Sequence, residues 1–350
     1  MFIFNRISSQ EKMDFIKGLS IMLRSGIAID EALVSLATQT KSKVFRNSIY
    51  KVKHRVEMGV SLSEAFNREQ NVFGSVYIGL LKAGEASGTL VENLSFLADW
   101  LERNHNLHQE IRAAMFYPKF VLVTTFLLGG GLSVFILPRL IPLFQQLRVE
   151  LPLATQLLLS FSLFIEKYWY AVLVGIILLI IGLRFISRYK PVRRVFHLLH
   201  LKTPFIGGLM TDYQLALVSQ LFFTLFKSGL SINESLEITG EAVTNIRYQD
   251  SIEKIRQRVL KGTTLSYAMS EYPKLYPKNM IHIIANGEES GTLDDSFLYL
   301  TEFYSKEVSN KVKKLPIIIE PILLIVIAIV VGFVALSIIT PIYELTRGIR

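Results

Sequence analysis

The stretch AGEASGTLVENLSFLADW at residues 83–100 returns as NGEESGTLDDSFLYLTEF at residues 286–303. The likeness extends outward from there. LRSGIAIDEAL at 23–33 pairs with FKSGLSINESL at 226–236, and GVSLSEAF at 59–66 pairs with GTTLSYAM at 262–269. Every pair is separated by the same 203 positions: Gly26 and Gly229, Gly59 and Gly262, Gly84 and Gly287, Gly88 and Gly291. The register continues through Pro118 and Pro321 to Pro138 and Pro341. A fixed offset without insertion or deletion marks a duplicated structural unit.

Each copy reads as helical. Apolar residues recur at helical spacing in Phe15, Leu19, Met22 and Leu23, and in Leu215, Val218, Phe222 and Phe226. Gly26 and Gly229 suit the left-handed position just past a helix. Ser231 with Glu234, and Ser61 with Glu64, have the spacing of capping boxes. Ala28 stands where the second copy has the capping Ser231, so that helix start is weaker or relies on Asp30. Gly84, Ser87 and Gly88 suit a helix end, and Thr89 with Glu92, or Thr292 with Asp295, suits the start of the next helix. The segment is therefore a tight helix–turn–helix joint. Glu85 and Glu288 sit beside it, where the free N–H groups of the following helix would bind a carboxylate. The alternative is that these two acids face a partner.

Half of the 350 residues are hydrophobic (51%), and the mean hydropathy is +0.39. The excess lies in long runs. Phe120–Pro138 is 19 residues without charge, Tyr168–Leu183 is 16, and Pro321–Tyr343 is 23. A helix crosses a bilayer in about 20 residues. Lys167 and Arg184 can extend the short run by snorkelling, and Tyr168, Trp169 and Tyr170 suit the interfacial belt. Leu151–Ile165 reads as a packed or interfacial helix leading into the second span. Met1–Ile7 is too short for a signal peptide.

The net charge is +9, from 38 basic and 29 acidic residues. The block Arg184, Arg188, Lys190, Arg193, Arg194 and the block Lys306, Lys311, Lys313, Lys314 both adjoin apolar runs. Such residues anchor to anionic headgroups on the cytoplasmic side. They lack the interleaved aromatics of a strand-binding groove, so no direct nucleic-acid contact is expected. The expected fold is an all-α membrane protein with two homologous cytoplasmic helical domains and three transmembrane helices. The expected ranges are 1–118 for the first domain, 119–142 for the first span, 143–167 for an outward connection and 168–187 for the second span. The second domain then covers 188–315, the third span 316–343 and an outward tail 344–350.

The chain has no cysteine, which excludes disulfides and thiolate chemistry. It has no Gly-Lys-Ser/Thr phosphate loop, so it is not expected to hydrolyse ATP. Ser87 lies one residue off a nucleophile elbow, but between helices rather than after a strand. His105 with His108, and His197 with His200, share helix faces without further evident ligands. No catalytic residue, cofactor or metal is expected. Glu320 at the mouth of the third span is costly unless paired, hydrated or neutralised, and its partner is either Lys313 or Lys314, one to two turns back, or a different protein. Gly129, Gly130, Gly131 and Gly332 would allow close helix approach in the membrane.

The duplicated Gly-Glu-x-Ser-Gly-x-Leu joint resembles the inner-membrane platform proteins of type IV pilus and type II secretion systems. So do the Tyr117-Pro118 step, Glu320-Pro321 and Pro341-Ile342. The resemblance covers residues from about 13 to 345 and places Gly84, Glu85, Gly88, Gly287, Glu288, Gly291, Glu320 and Pro321 at motif positions. It implies bundles of about six helices each and a bacterial cytoplasmic membrane. As partners it implies a cytosolic hexameric ATPase, pilin-like subunits, other inner-membrane assembly proteins and further copies of the chain. Two departures stand out. The first helix begins almost at once, where many relatives have a longer leading segment. Glu110 occupies a position, eight before Pro118, that is usually basic or glutamine. The competing reading is a transporter or channel component acting as an oligomer, since transporters are often built from repeats.

Overall fold

The computed structural model describes residues 7–131, 206–243 and 245–348, with scattered positions between 156 and 182. Every regular element among the described residues is a helix. Copy 1 comprises α1 (Ser9–Arg24), α2 (Ile29–Gln39), α3 (Lys43–Glu57), α4 (Leu62–Asn67), α5 (Gln70–Ser87) and α6 (Leu90–Ala114). After a break at Met115 comes α7 (Phe116–Gly131). Copy 2 comprises α8 (Ile206–Lys227), α9 (Ile232–Ala242), α10 (Ile246–Val259), α11 (Leu265–Ser270), α12 (Lys278–Ser290) and α13 (Leu293–Gly348).

The helix boundaries follow the local chemistry. Ser231 and Glu234 form a full capping box at the start of α9, whereas Ala28 gives α2 no side-chain cap. Ser61 accepts from Glu64 N at α4, which is half of the expected box. Gly26 and Gly229 take φ of 81° and 80°, the left-handed conformation that lets the chain leave a helix at no steric cost. α5 is kinked at Gly74, where φ is 76° and ψ is 169°. Its equivalent in copy 2, Pro277, is the N-cap of α12 with ψ of 150°. Different residues thus start the same helix at the same repeat position.

The copies fill their cores differently at matched positions. In copy 1, Phe15, Phe45, Phe66, Phe73 and Tyr77 form one aromatic cluster. Phe45 and Phe73 have ring centroids 5.7 Å apart, and their equivalents Tyr248 and Tyr276 also stand 5.7 Å apart. The added hydroxyls must find partners once buried. Tyr248 donates to Leu275 O at 3.1 Å, and the Tyr276 hydroxyl lies 2.9 Å from Ser251 Oγ. Burial pushes both phenol pKa values upward. Copy 2 places further aromatic bulk at Phe222 and Phe297, stacked at 4.8 Å.

The chain divides into two compact units, residues 1–109 with 194–310, and residues 110–193 with 311–350. The first unit holds both copies. α5 of copy 1 packs on α9 of copy 2. Gln220 Nε2 donates to Trp100 O at 3.3 Å. The His108 ring is used at both nitrogens. Nδ1 donates to Asn104 O at 2.9 Å, and Nε2 accepts from the Tyr213 hydroxyl at 3.2 Å. Tyr213 keeps that proton, because burial raises its pKa to about 12.

The second unit is where apolar side chains face outward. Phe120, Val123, Phe126, Leu127 and Leu128 on α7 are more than half exposed, as are Leu324, Ile325 and Ile329 on α13. The stretches Leu90–Gly131 and Leu293–Phe333 are each long and apolar enough to contain a membrane crossing. Exposed apolar surface on this scale calls for lipid or protein cover. A Cβ on Gly129 would stand 3.2 Å from Val330 Cγ1, so the two apolar helices approach closely there, while Gly130, Gly131 and Gly332 face open space. The expected second span, the 143–167 connection, the basic block Arg184–Arg194 and the His197/His200 pair lie outside the described residues, apart from scattered positions up to Gly182.

Candidate functional site

Each copy carries one joint, built alike. α5 ends at Ser87, and Gly88 follows with φ of 73°. The N–H of Thr89 reaches back to Gly84 O at 2.9 Å. In copy 2, Gly291 has φ of 74° and Thr292 N meets Gly287 O at 2.8 Å. The first glycine of each joint is needed for space. A Cβ on Gly84 would stand 2.9 Å from Leu90 Cα, and one on Gly287 would meet Ser296 Cβ at 2.9 Å. The second glycine is needed for conformation, since Gly88 and Gly291 have open space around them. Ser87 donates to Ala83 O at 2.8 Å, which uses its proton, so Thr89 is the donor across the 2.6 Å pair with Ser87 Oγ.

The two glutamates hold a different helix from the one expected. Glu85 Oε1 accepts from Leu62 N at 2.5 Å, and Oε2 accepts from Ser63 N at 3.1 Å and from the Ser63 hydroxyl. Glu288 repeats this on Leu265 N at 2.6 Å, Ser266 N at 3.0 Å and Ser266 Oγ at 2.7 Å. The carboxylates therefore close the starts of the short helices α4 and α11, 22 and 23 residues earlier in the chain. The reason is directional. Side chains on a helix lean toward its N-terminus, so an acid on the last turn of α5 points away from α6 and back along the bundle. With Ser61 Oγ taking Glu64 N at 3.3 Å, the first three donors of α4 are all engaged. The recurring GVSLSEAF and GEASGTL stretches are thus one constellation, tied by a single carboxylate. The signal was present in sequence as Leu62/Leu265 and Ser63/Ser266, which recur with the glutamates, but nothing in linear order shows that they meet.

Glu320 and Pro321 lie on α13 in the second unit, remote in sequence from the joints. Glu320 is exposed and forms no ion pair with Lys313 or Lys314. Seven residues of helix place Lys313 roughly 10 Å away along the axis, beyond direct contact. α13 runs unbroken through Pro316, Pro321 and Pro341.

A groove of about 570 Å³ opens where the copies meet, with Lys82, Glu234, Glu237 and Glu241 on its walls. Among the described residues no cluster of three potential metal ligands occurs.

Two copies of one helical domain, each closed by a glutamate clasp and each linked to an apolar helix long enough to cross a membrane, define a duplicated all-helical protein. A sequence model of the family described as type II secretion system, protein F, matches residues 15–138 and again 218–341, at the same offset of 203. The chain belongs to that family. It is 30% identical to the type IV pilus assembly protein PilC of Thermus thermophilus over 95% of this chain and 81% of the relative. It is 28% identical to PilC of Pseudomonas aeruginosa, over 95% of this chain and 88% of the relative. It is 30% identical to the type II secretion system protein F of Aeromonas hydrophila, over 99% of this chain and 90% of the relative.

Proposed function

We propose that the chain is a non-enzymatic assembly platform in the bacterial cytoplasmic membrane. It couples a cytosolic hexameric ATPase to the insertion of pilin-like subunits into a filament, in a type IV pilus or a type II secretion machine. The observation that carries this reading is the duplication itself, matched twice by one secretion-system family and joined into one compact body. Two like domains on the same body offer paired surfaces to a symmetric partner, which a single domain does not.

In this reading residues 1–118 and 188–315 are cytoplasmic, three spans cross at 119–142, 168–187 and 316–343, and the C-terminal tail faces outward. The basic blocks beside the apolar runs support that orientation. Glu320 and Pro321 stand at the cytoplasmic mouth of the third span, where an exposed carboxylate suits a basic group on a pilin-like helix. The glutamate joints shape the domain surface rather than touching the partner themselves. Their carboxylates are already engaged three times over.

The test is genetic. Removal of the gene from its host abolishes surface filaments or secretion of the system's substrate, and the wild-type gene restores the output. Retained output would overturn the platform reading. Selective, saturable solute flux through the purified protein in proteoliposomes would favour the transporter alternative instead.

A further inference from the structure

The contact between the copies is head-to-tail. Copy 1 contributes α5 and α6, and copy 2 contributes α8 and α9. By the repeat, α8 and α9 are the equivalents of α1 and α2, while α5 and α6 are the equivalents of α12 and the first part of α13. One surface of each kind is therefore left over: α1/α2 on copy 1 and α12/α13 on copy 2. A heterologous contact always leaves such a complementary pair of ends.

The residues on the leftover surfaces match each other. Ile238 on α9 occupies the place where a Cβ on Gly79 of α5 would stand. Shifted by 203, that pair becomes Ser35 on α2 and His282 on α12. The large residue has moved to the other side and the small one has moved opposite it, so the fit is retained with the roles exchanged.

The exposed apolar residues fall at the same places. Ile21 is 56% exposed, Val34 37%, Tyr299 56% and Phe303 38%. Their equivalents Thr224, Glu237, Phe96 and Trp100 all line the joint between the copies, where Trp100 is only 9% exposed. Ile27, whose equivalent Leu230 lines the same joint, is also exposed. The apolar side chains thus sit where the domain has an interface in its other copy and no cover in its own.

We infer that copy 2 of one chain docks through α12 and α13 onto α1 and α2 of copy 1 in a second chain, repeating between chains the joint that exists within one. This gives the association with further copies of the chain, which the family resemblance implies, a defined surface. It rests on the duplication and not on which machine the chain serves. The partner is a second copy of this chain because the surface it requires is already present on the same molecule.

The chain has no cysteine, so introduced pairs report cleanly. Full-length chains carrying Ser35→Cys are mixed in membranes with full-length chains carrying His282→Cys and oxidised with a mild catalyst. The expected result is a disulfide-linked dimer in the mixture and in neither variant alone, because the contact is between unlike surfaces. A chain carrying Gly79→Cys and Ile238→Cys closes within itself and serves as the reference for reach. The inference is overturned if the reference closes while the mixture gives no dimer, or if either single variant links to itself as strongly as the mixture does. Both readouts are independent of pilus or secretion output, so failure here and failure of the platform reading are separable.

Discussion

A carboxylate that accepts from two backbone N–H groups and a hydroxyl is costly to remove, because three donors lose their partner together. Glu85→Ala and Glu288→Ala are each expected to lower stability by about 1–3 kcal/mol, read as a shift in the denaturant midpoint of the purified protein. Glu85→Gln keeps one acceptor oxygen and should cost less. If both alanine variants unfold like the wild type but lose a binding partner, the acids dock that partner rather than clasp the fold. The glycines divide the work by geometry. Gly84→Ala presses a methyl into Leu90 and Asn93 and is expected to cost about 1–3 kcal/mol as overpacking. Gly88→Ala meets no atom and costs only the left-handed backbone, about 1–2 kcal/mol. Asparagine at 88 should therefore rescue much of the loss, and at 84 it should not. The glycines were legible in sequence as a helix end. Which of them serves space and which serves conformation was not, because that depends on what packs against each.

At the scale of single helices, the repeat supplies its own control. α9 has the Ser231/Glu234 box and α2 starts at Ala28 with no cap. Ala28→Ser is expected to stabilise by about 0.5–1 kcal/mol, and Ser231→Ala to destabilise by about 1 kcal/mol, in thermal unfolding. The second effect carries a pH signature. The Ser231 hydroxyl and then its backbone N–H hold the Glu234 carboxyl below its ordinary range. A folded-state pKa below the unfolded one contributes stability that is present above the unfolded value and lost as pH falls through the folded value. The gap between wild type and Ser231→Ala should thus be full at neutral pH and shrink below about pH 4. A gap that stays constant down to pH 2 would show that the Glu234 carboxylate adds nothing to the helix start and that the Ser231 oxygen caps it alone. These caps could be read from spacing because they are local. The helix that Glu85 closes could not, because it lies 22 residues away and is chosen by side-chain direction. The Phe45/Phe73 to Tyr248/Tyr276 exchange was hidden for a related reason. The sequence contains the tyrosines, but their burial and their Leu275 and Ser251 partners are tertiary facts.

At the scale of the whole chain, the duplication was legible because its offset never changes, and two apolar helices followed from composition alone. The joining of the two copies into one body was not legible. Its linear traces, such as Gly79 and Ile238 becoming His282 and Ser35 across the repeat, have meaning only once the pairs are known to touch. In the proposed reading, the joined body holds two like surfaces in fixed relation for a symmetric motor. Photo-crosslinking in the native host tests this most directly. A photoreactive residue is placed at exposed Met58 in copy 1 and, in a separate chain, at exposed Leu260 in copy 2. Both positions are expected to trap the system's cytosolic ATPase in assembling cells. Capture of the ATPase from neither copy, with filaments or secretion intact, would contradict the platform reading.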